Sequence, residues 1–183
     1  MTDPQTQDAP ILERLPILIA PNPVLKARAR VVQDSDGDVV RAIVPRMLAA
    51  MYDAPGIGLA APQVGLSLRL FVVDIQKEGA REPMVLVNPE IMGLSKEMAL
   101  REEGCLSLPG QYADVSRPAQ VRVRYLDQAG VRQEIAADGL LATCLQHELD
   151  HLDGILFVDH LSALKRNILM RKLAKEQRLK AAG

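Results

Sequence analysis

The sequence predicts an α+β fold, on three observations. Strand patterns fill the middle of the chain and helix patterns close it, an order that argues against a parallel doubly wound sheet. At least one strand is half-exposed: Val121, Val123 and Tyr125 alternate with Arg122 and Arg124. The 183 residues, 48% apolar and 25% charged, suffice for one domain with its own core and show no internal repeat.

Residues 1–15 are polar, broken by Pro4 and Pro10, and read as a flexible leader before a single domain at 16–183. Asn22-Pro23-Val24-Leu25 places an N-cap and then a proline at the first helical position, which opens a short helix. Ser35 or Asp36 caps a longer one, along which Val39, Val40, Ile43, Val44, Met47, Leu48 and Met51 recur at threes and fours up to Tyr52. Pro45 falls inside that pattern and predicts a kink or a late start. A tight small-residue segment follows, Gly56-Ile57-Gly58-Leu59-Ala60-Ala61-Pro62-Gln63. Apolar and β-branched content predicts strands over 68–75 and 84–87. Glu102 to Gly110 is bracketed by glycine and proline. The turn Asp127-Gln128-Ala129-Gly130 returns strand 121–125 through 131–135 as a hairpin. Helix patterns then run from about Asp138 to Leu152, and from about His160, where Leu161, Leu164 and Ile168 form the docking side.

Composition narrows the function classes. The net charge of −1 gives no overall case for nucleic acid, and with no Trp and 3% aromatics there is no platform for stacking bases. No apolar run is long enough to span a bilayer, so no membrane partner is expected. The N-terminus lacks a signal-peptide layout, and Asp3 and Asp8 do not suit a transit peptide. Two cysteines are no disulfide framework. The expectation is a monomeric cytoplasmic protein.

The chemistry concentrates in His147-Glu148-Leu149-Asp150-His151. On a helix, residues four apart share a face, so His147 and His151 can point both imidazoles at one metal ion. Glu148 projects beside them as a general base. A catalytic metal of this kind wants a third protein ligand and an open position. The zinc-protease pattern would supply it at position 157, but Phe157 stands there and cannot bind metal. His160 lies too near the ligand helix and reads as a cap or surface residue. Cys144 is about 10 Å from His151 along the helix axis, and reads as a small apolar residue below the site. Cys105, in a turn where Gly104 permits close approach, is taken as the third ligand.

Three segments together resemble the signature motifs of the peptide deformylases, in that family's order and spacing. They are Gly56-Ile57-Gly58-Leu59-Ala60-Ala61-Pro62-Gln63, Glu103-Gly104-Cys105-Leu106-Ser107 and Gln146-His147-Glu148-Leu149-Asp150-His151. The resemblance runs from about Ile17 into a long C-terminal helix like that of the Gram-negative type. It implies removal of formate from the N-terminal formylmethionine of nascent polypeptides. It also implies a fold of antiparallel or mixed sheets surrounding the His-Glu-x-x-His helix.

By the same resemblance the metal ligands fall on Cys105, His147 and His151, and the catalytic acid on Glu148. Gln63 and the Leu106 N–H fall on the partners of the developing oxyanion, and Gly58 on the contact to the substrate backbone. Ile57, Leu106, Leu140, Thr143, Cys144 and His147 fall on the methionine pocket. Thr143 is more polar than the isoleucine of some members, and Tyr112 stands where some carry arginine. One thiolate and two imidazoles suit Zn2+, Ni2+, Co2+ or Fe2+; the resemblance favours Fe2+. A metallopeptidase and a translation-associated binding protein with a structural metal are the rival readings. The final helix is basic, with Lys165, Arg166, Arg171, Lys172, Lys175, Arg178 and Lys180 against Glu176 alone. Members of the resembled type bind the ribosome with it. Truncation after Ala163 is therefore expected to remove salt-sensitive ribosome binding while sparing hydrolysis of a short formyl peptide.

Overall fold

The computed structural model describes residues 13–183. Four helices, α1 (Pro23–Lys26), α2 (Gly37–Asp53), α3 (Gly139–Leu152) and α4 (Ala163–Ala182), accompany seven strands. Strands β1 (Gly58–Ala60), β2 (Leu70–Val73), β3 (Met84–Leu94), β6 (Gln120–Leu126) and β7 (Arg132–Asp138) form an antiparallel sheet in the order β1-β2-β3-β6-β7. Strands β4 (Met98–Cys105) and β5 (Leu108–Pro118) form a separate antiparallel hairpin. The α+β expectation holds.

At β2 both faces of the larger sheet are covered, which explains why all four of its residues are buried. Phe71 and Val73 meet Leu145, Leu149 and Leu152 of α3 in one core cluster. Leu70 and Val72 meet Val44, Met47 and Met51 of α2 in a second. A third cluster gathers Leu25 of α1, Leu108 and Val115 of the hairpin, Phe157, and Leu173 of α4. With sheet on one side and hairpin on another, α3 is buried continuously from Ala142 to Leu149.

Several local expectations change. Asn22 caps α1 as expected, accepting from the Val24 N–H at 3.0 Å. Asp36 precedes α2 but makes no capping bond to it. Its carboxylate is taken by Arg30, at 2.8 and 2.9 Å, and by the Gln33 N–H. Helix α2 continues through Pro45, which is exposed, so water can serve the carbonyl that loses its partner. Strand β3 runs seven residues beyond the expected Val87. Register shifts near Asn88, at φ 49°, hide its alternation in the sequence. Strands β4 and β5 form where the sequence predicts only a stretch bracketed by glycine and proline.

The last helix starts at Ala163, capped by Ser162, and docks differently from the expectation. Leu164 and Ile168 are 72% and 55% exposed, while Leu173 is fully buried with Leu169 and Met170 beside it. Most of the expected leader lies outside the described residues; of its end, Leu15 already packs against the α2 cluster. Among the described residues no helix is long and apolar enough to cross a membrane.

Candidate metal centre and active site

Helix α3 sets His147 and His151 one turn apart, with ring centroids 5.0 Å apart and planes at 71°. Cys105 reaches them from the end of β4, where the hairpin register shifts. Its Sγ lies 3.3 Å from His151 Nε2, and one ligand atom from each of the three residues falls within 4.8 Å of the others. Ligands at ordinary bond lengths around a tetrahedral ion stand about 3.5 Å apart, so this donor set can close on a single ion. Cys105, His147 and His151 can therefore hold a metal.

The imidazole of His147 is oriented from behind. Its Nδ1 lies 2.8 Å from Glu103 Oε1, leaving Nε2 for the metal side. Glu103 is gripped by Arg117 through Nε at 2.7 Å and Nη2 at 3.0 Å, and Arg117 Nη1 reaches Asp150 at 2.8 Å. Burial pushes the Glu103 carboxyl up, but His147 and Arg117 outweigh it and hold it below the usual range. It therefore stays a carboxylate, which a ligand histidine needs as its partner.

Glu148 differs. It is 3% exposed, and its Oε2 is buried with no hydrogen-bond partner. Burial pushes its carboxyl up to about 7, although His147 pulls the other way. Such a group gains and loses a proton near neutrality. A Cβ at position 58 would lie 2.5 Å from Glu148 Oε1, so glycine there is what lets the carboxylate stand where it does.

These groups face a cavity of about 560 Å³, within the usual size of small-ligand sites. The expected pocket residues Ile57, Gly58, Leu106, Leu140, Thr143, Cys144 and His147 all line it, as do Gln63, Cys105 and Glu148. His151 is 1% exposed and is not part of the lining. Gln63 is fixed at both ends: Oε1 accepts from the Ala60 N–H at 2.9 Å, and Nε2 donates to Ser107 Oγ at 3.1 Å. Cys144 is 5% exposed, its Sγ 3.7 Å from the Ile57 carbonyl. Burial pushes its thiol well above the ordinary value, so it remains a neutral wall rather than a thiolate. Phe157, at the position where a third histidine would stand, instead stacks on His147 at 6.3 Å. His160 points away to Asp150 Oδ2 at 2.7 Å.

The model of the polypeptide deformylase family matches residues 14–167. The chain belongs to the peptide deformylase family. The peptide deformylase of Agrobacterium fabrum is 49% identical over 166 residues, covering 90% of this chain and 97% of that protein. The crystal structure of a peptide deformylase from Legionella pneumophila matches with a TM-score of 0.87 at 47% identity, over 93% of this chain and 99% of that one. A peptide deformylase from Ehrlichia chaffeensis in complex with actinonin matches with a TM-score of 0.85 at 36% identity, over 90% of this chain and 98% of that one.

Within this deformylase chain the sequence reading passed over two features. The Glu103–Arg117–Asp150–His160 series was not read as supporting the metal ligands. A signal existed: Glu103 lies two residues from Cys105, and ligand histidines ordinarily need a carboxylate or carbonyl partner. Pro109 and Gly110 at the start of β5 also line the cavity, next to Gln111, whose partner lies on α4.

Proposed function

We propose that this protein removes the formyl group from the N-terminal formylmethionine of nascent polypeptides, releasing formate and a free amine. One observation carries the reading: an unpartnered buried carboxylate, Glu148, stands beside the Cys105–His147–His151 donor set at the wall of a peptide-sized cavity. Cys105, His147 Nε2 and His151 Nε2 are the residues that would hold the ion. When bound, it supplies Lewis acidity, polarising the formyl carbonyl and acidifying water. Because one ligand is a thiolate, the site carries less positive charge than a three-histidine site, and more of the proton transfer rests on Glu148.

Glu148 takes a proton from the attacking water and gives it to the departing amine. The Gln63 Nε2–H and the Leu106 backbone N–H donate to the oxygen that becomes negative; one such donor is worth about 3–4 kcal/mol in the barrier. Ile57, Leu106, Leu140, Thr143 and Cys144 receive the methionine side chain, and Gly58 keeps the backbone accessible. We assign Fe2+ as the native ion, the same donors also suiting Zn2+, Ni2+ and Co2+. The same reading is of a monomer in the cytoplasm, where reducing conditions keep Cys105 from being oxidised.

Formate release from formyl-Met-Ala, acetyl-Met-Ala and an internal peptide bond tests the function. Formate from the formyl peptide alone is expected. Internal cleavage without formate would make the protein a metallopeptidase, and no turnover by the metal-loaded protein would favour a binding role.

A further inference from the structure

Glu176 is the single acid of α4, among Lys165, Arg166, Arg171, Lys172, Lys175, Arg178 and Lys180. It turns inward. Its Oε2 accepts a hydrogen bond from Gln111 Nε2 at 2.9 Å. Gln111 is 1% exposed and follows directly on Pro109 and Gly110, which line the substrate cavity. The same Nε2 lies 3.4 Å from the Pro109 carbonyl, while Oε1 is buried without any partner. Turned over, the amide would set its oxygen against a carboxylate and a carbonyl, so Glu176 decides which way it points. Leaving one buried acceptor unsatisfied is costly, and the charge-assisted bond to Glu176 offsets that cost.

The start of β5 also lies close against the same carboxylate. Gly110 has φ +74°, and a Cβ there would lie 3.4 Å from Glu176 Oε2. Beside it Leu173 packs in the cluster that includes Leu108 and reaches Cys105. The inner face of α4 thus backs a segment whose other side walls the cavity.

We propose that Glu176 is a positioning residue of the substrate site: through Gln111 it holds the Pro109–Gly110 wall, so that α4 sets part of the affinity for the formyl peptide. The proposal rests on the deformylase reading above. Glu176 touches no reacting atom, so its loss falls on KM and leaves kcat alone. Full-length, metal-loaded enzyme is assayed on formyl-Met-Ala. Glu176→Ala raises KM about fivefold, the size of a typical net hydrogen bond, with kcat within about twofold. Glu176→Gln keeps a neutral acceptor and raises KM about twofold. In a Gln111→Ala background, replacing Glu176 adds nothing further, because the two residues act through one contact. A melting curve of each variant establishes that it is folded at the assay temperature. If Glu176→Ala does not fold, Glu176→Gln carries the test alone. An unchanged KM in the folded Glu176 variants, or equal effects with and without Gln111, overturns the proposal. A wild-type enzyme that releases no formate overturns the functional reading instead.

Discussion

Glu148 and the residues around it divide binding from chemistry. Since Glu148 Oε2 touches no partner and the donor set lies on Cys105, His147 and His151, Glu148→Gln should retain the ion and lose at least about a hundredfold in kcat. Cys105→Ser and His151→Ala should lose the ion, and Cys144→Ser should keep it; elemental analysis beside formate assays separates the two classes. Ion loss in Cys144→Ser but not in Cys105→Ser would name the other sulfur. The closeness of the three donors was legible because a spacing of four on a helix and the poverty of alternative ligands are sequence properties. Arg117 was not, since its value depends on a strand pairing that brings it to Glu103 from fourteen residues away. A second residue-scale prediction concerns Tyr52, whose hydroxyl lies 2.5 Å from the buried Asp74 carboxylate. Burial, with the Asp74 carboxylate, pushes the phenol up from 10.0 to about 12. The folded state therefore holds this proton more tightly than the unfolded state does. The stability it contributes is complete below pH 10 and lost between pH 10 and about 12. Tyr52→Phe should flatten that part of the unfolding profile; an unaltered alkaline profile would remove Tyr52 from the account.

Helix α4 shows the two sides of an element separately. Its inner side carries Leu173, fully buried, and Glu176, so cutting the chain after Ala163 would uncover a core cluster and leave Gln111 without its acceptor. Leu173→Ala should cost about 2–5 kcal/mol in denaturant unfolding. Ribosome binding is better tested on the outer side, where Arg171, Lys172, Lys175 and Arg178 are exposed. Replacing Arg171, Lys172 and Lys175 by glutamate should abolish a cosedimentation that salt also weakens, with formate release retained. Equal pelleting of both proteins would return the outer side to plain solvation. The sequence showed α4 as a helix but not its docking side. Leucines recur around it, and only the position of the hairpin decides that Leu173 goes in while Leu164 stays out. The hairpin escaped notice for a related reason. Strand β4 carries Arg101, Glu102 and Glu103 in succession, with Glu103 buried against Arg117, so the usual apolar alternation is absent.

For the whole molecule, the donor set that can hold a metal comes from two bodies: Cys105 from the small hairpin, His147 and His151 from the helix packed on the large sheet. An ion bound there ties them together and binds only the folded state, so it should raise the melting temperature with the logarithm of the free ion concentration above its Kd. Chelation should lower that temperature and abolish turnover. If Fe2+ is the native ion, air should inactivate the enzyme as isolated, and anaerobic ferrous iron should restore it. A fully active, air-stable zinc form would settle against iron. Strand β1, three residues long, pairs with β2 on one side only, and its first residue, Gly58, lines the cavity. An open strand edge offers amide and carbonyl groups that any extended chain can match, whatever its side chains. An enzyme that meets every newly made protein once has to be indifferent to nearly every residue beyond the first. A short edge at Gly58 beside one pocket gives it that: a lock cut for a single tooth, with a smooth slot for the remainder of every key.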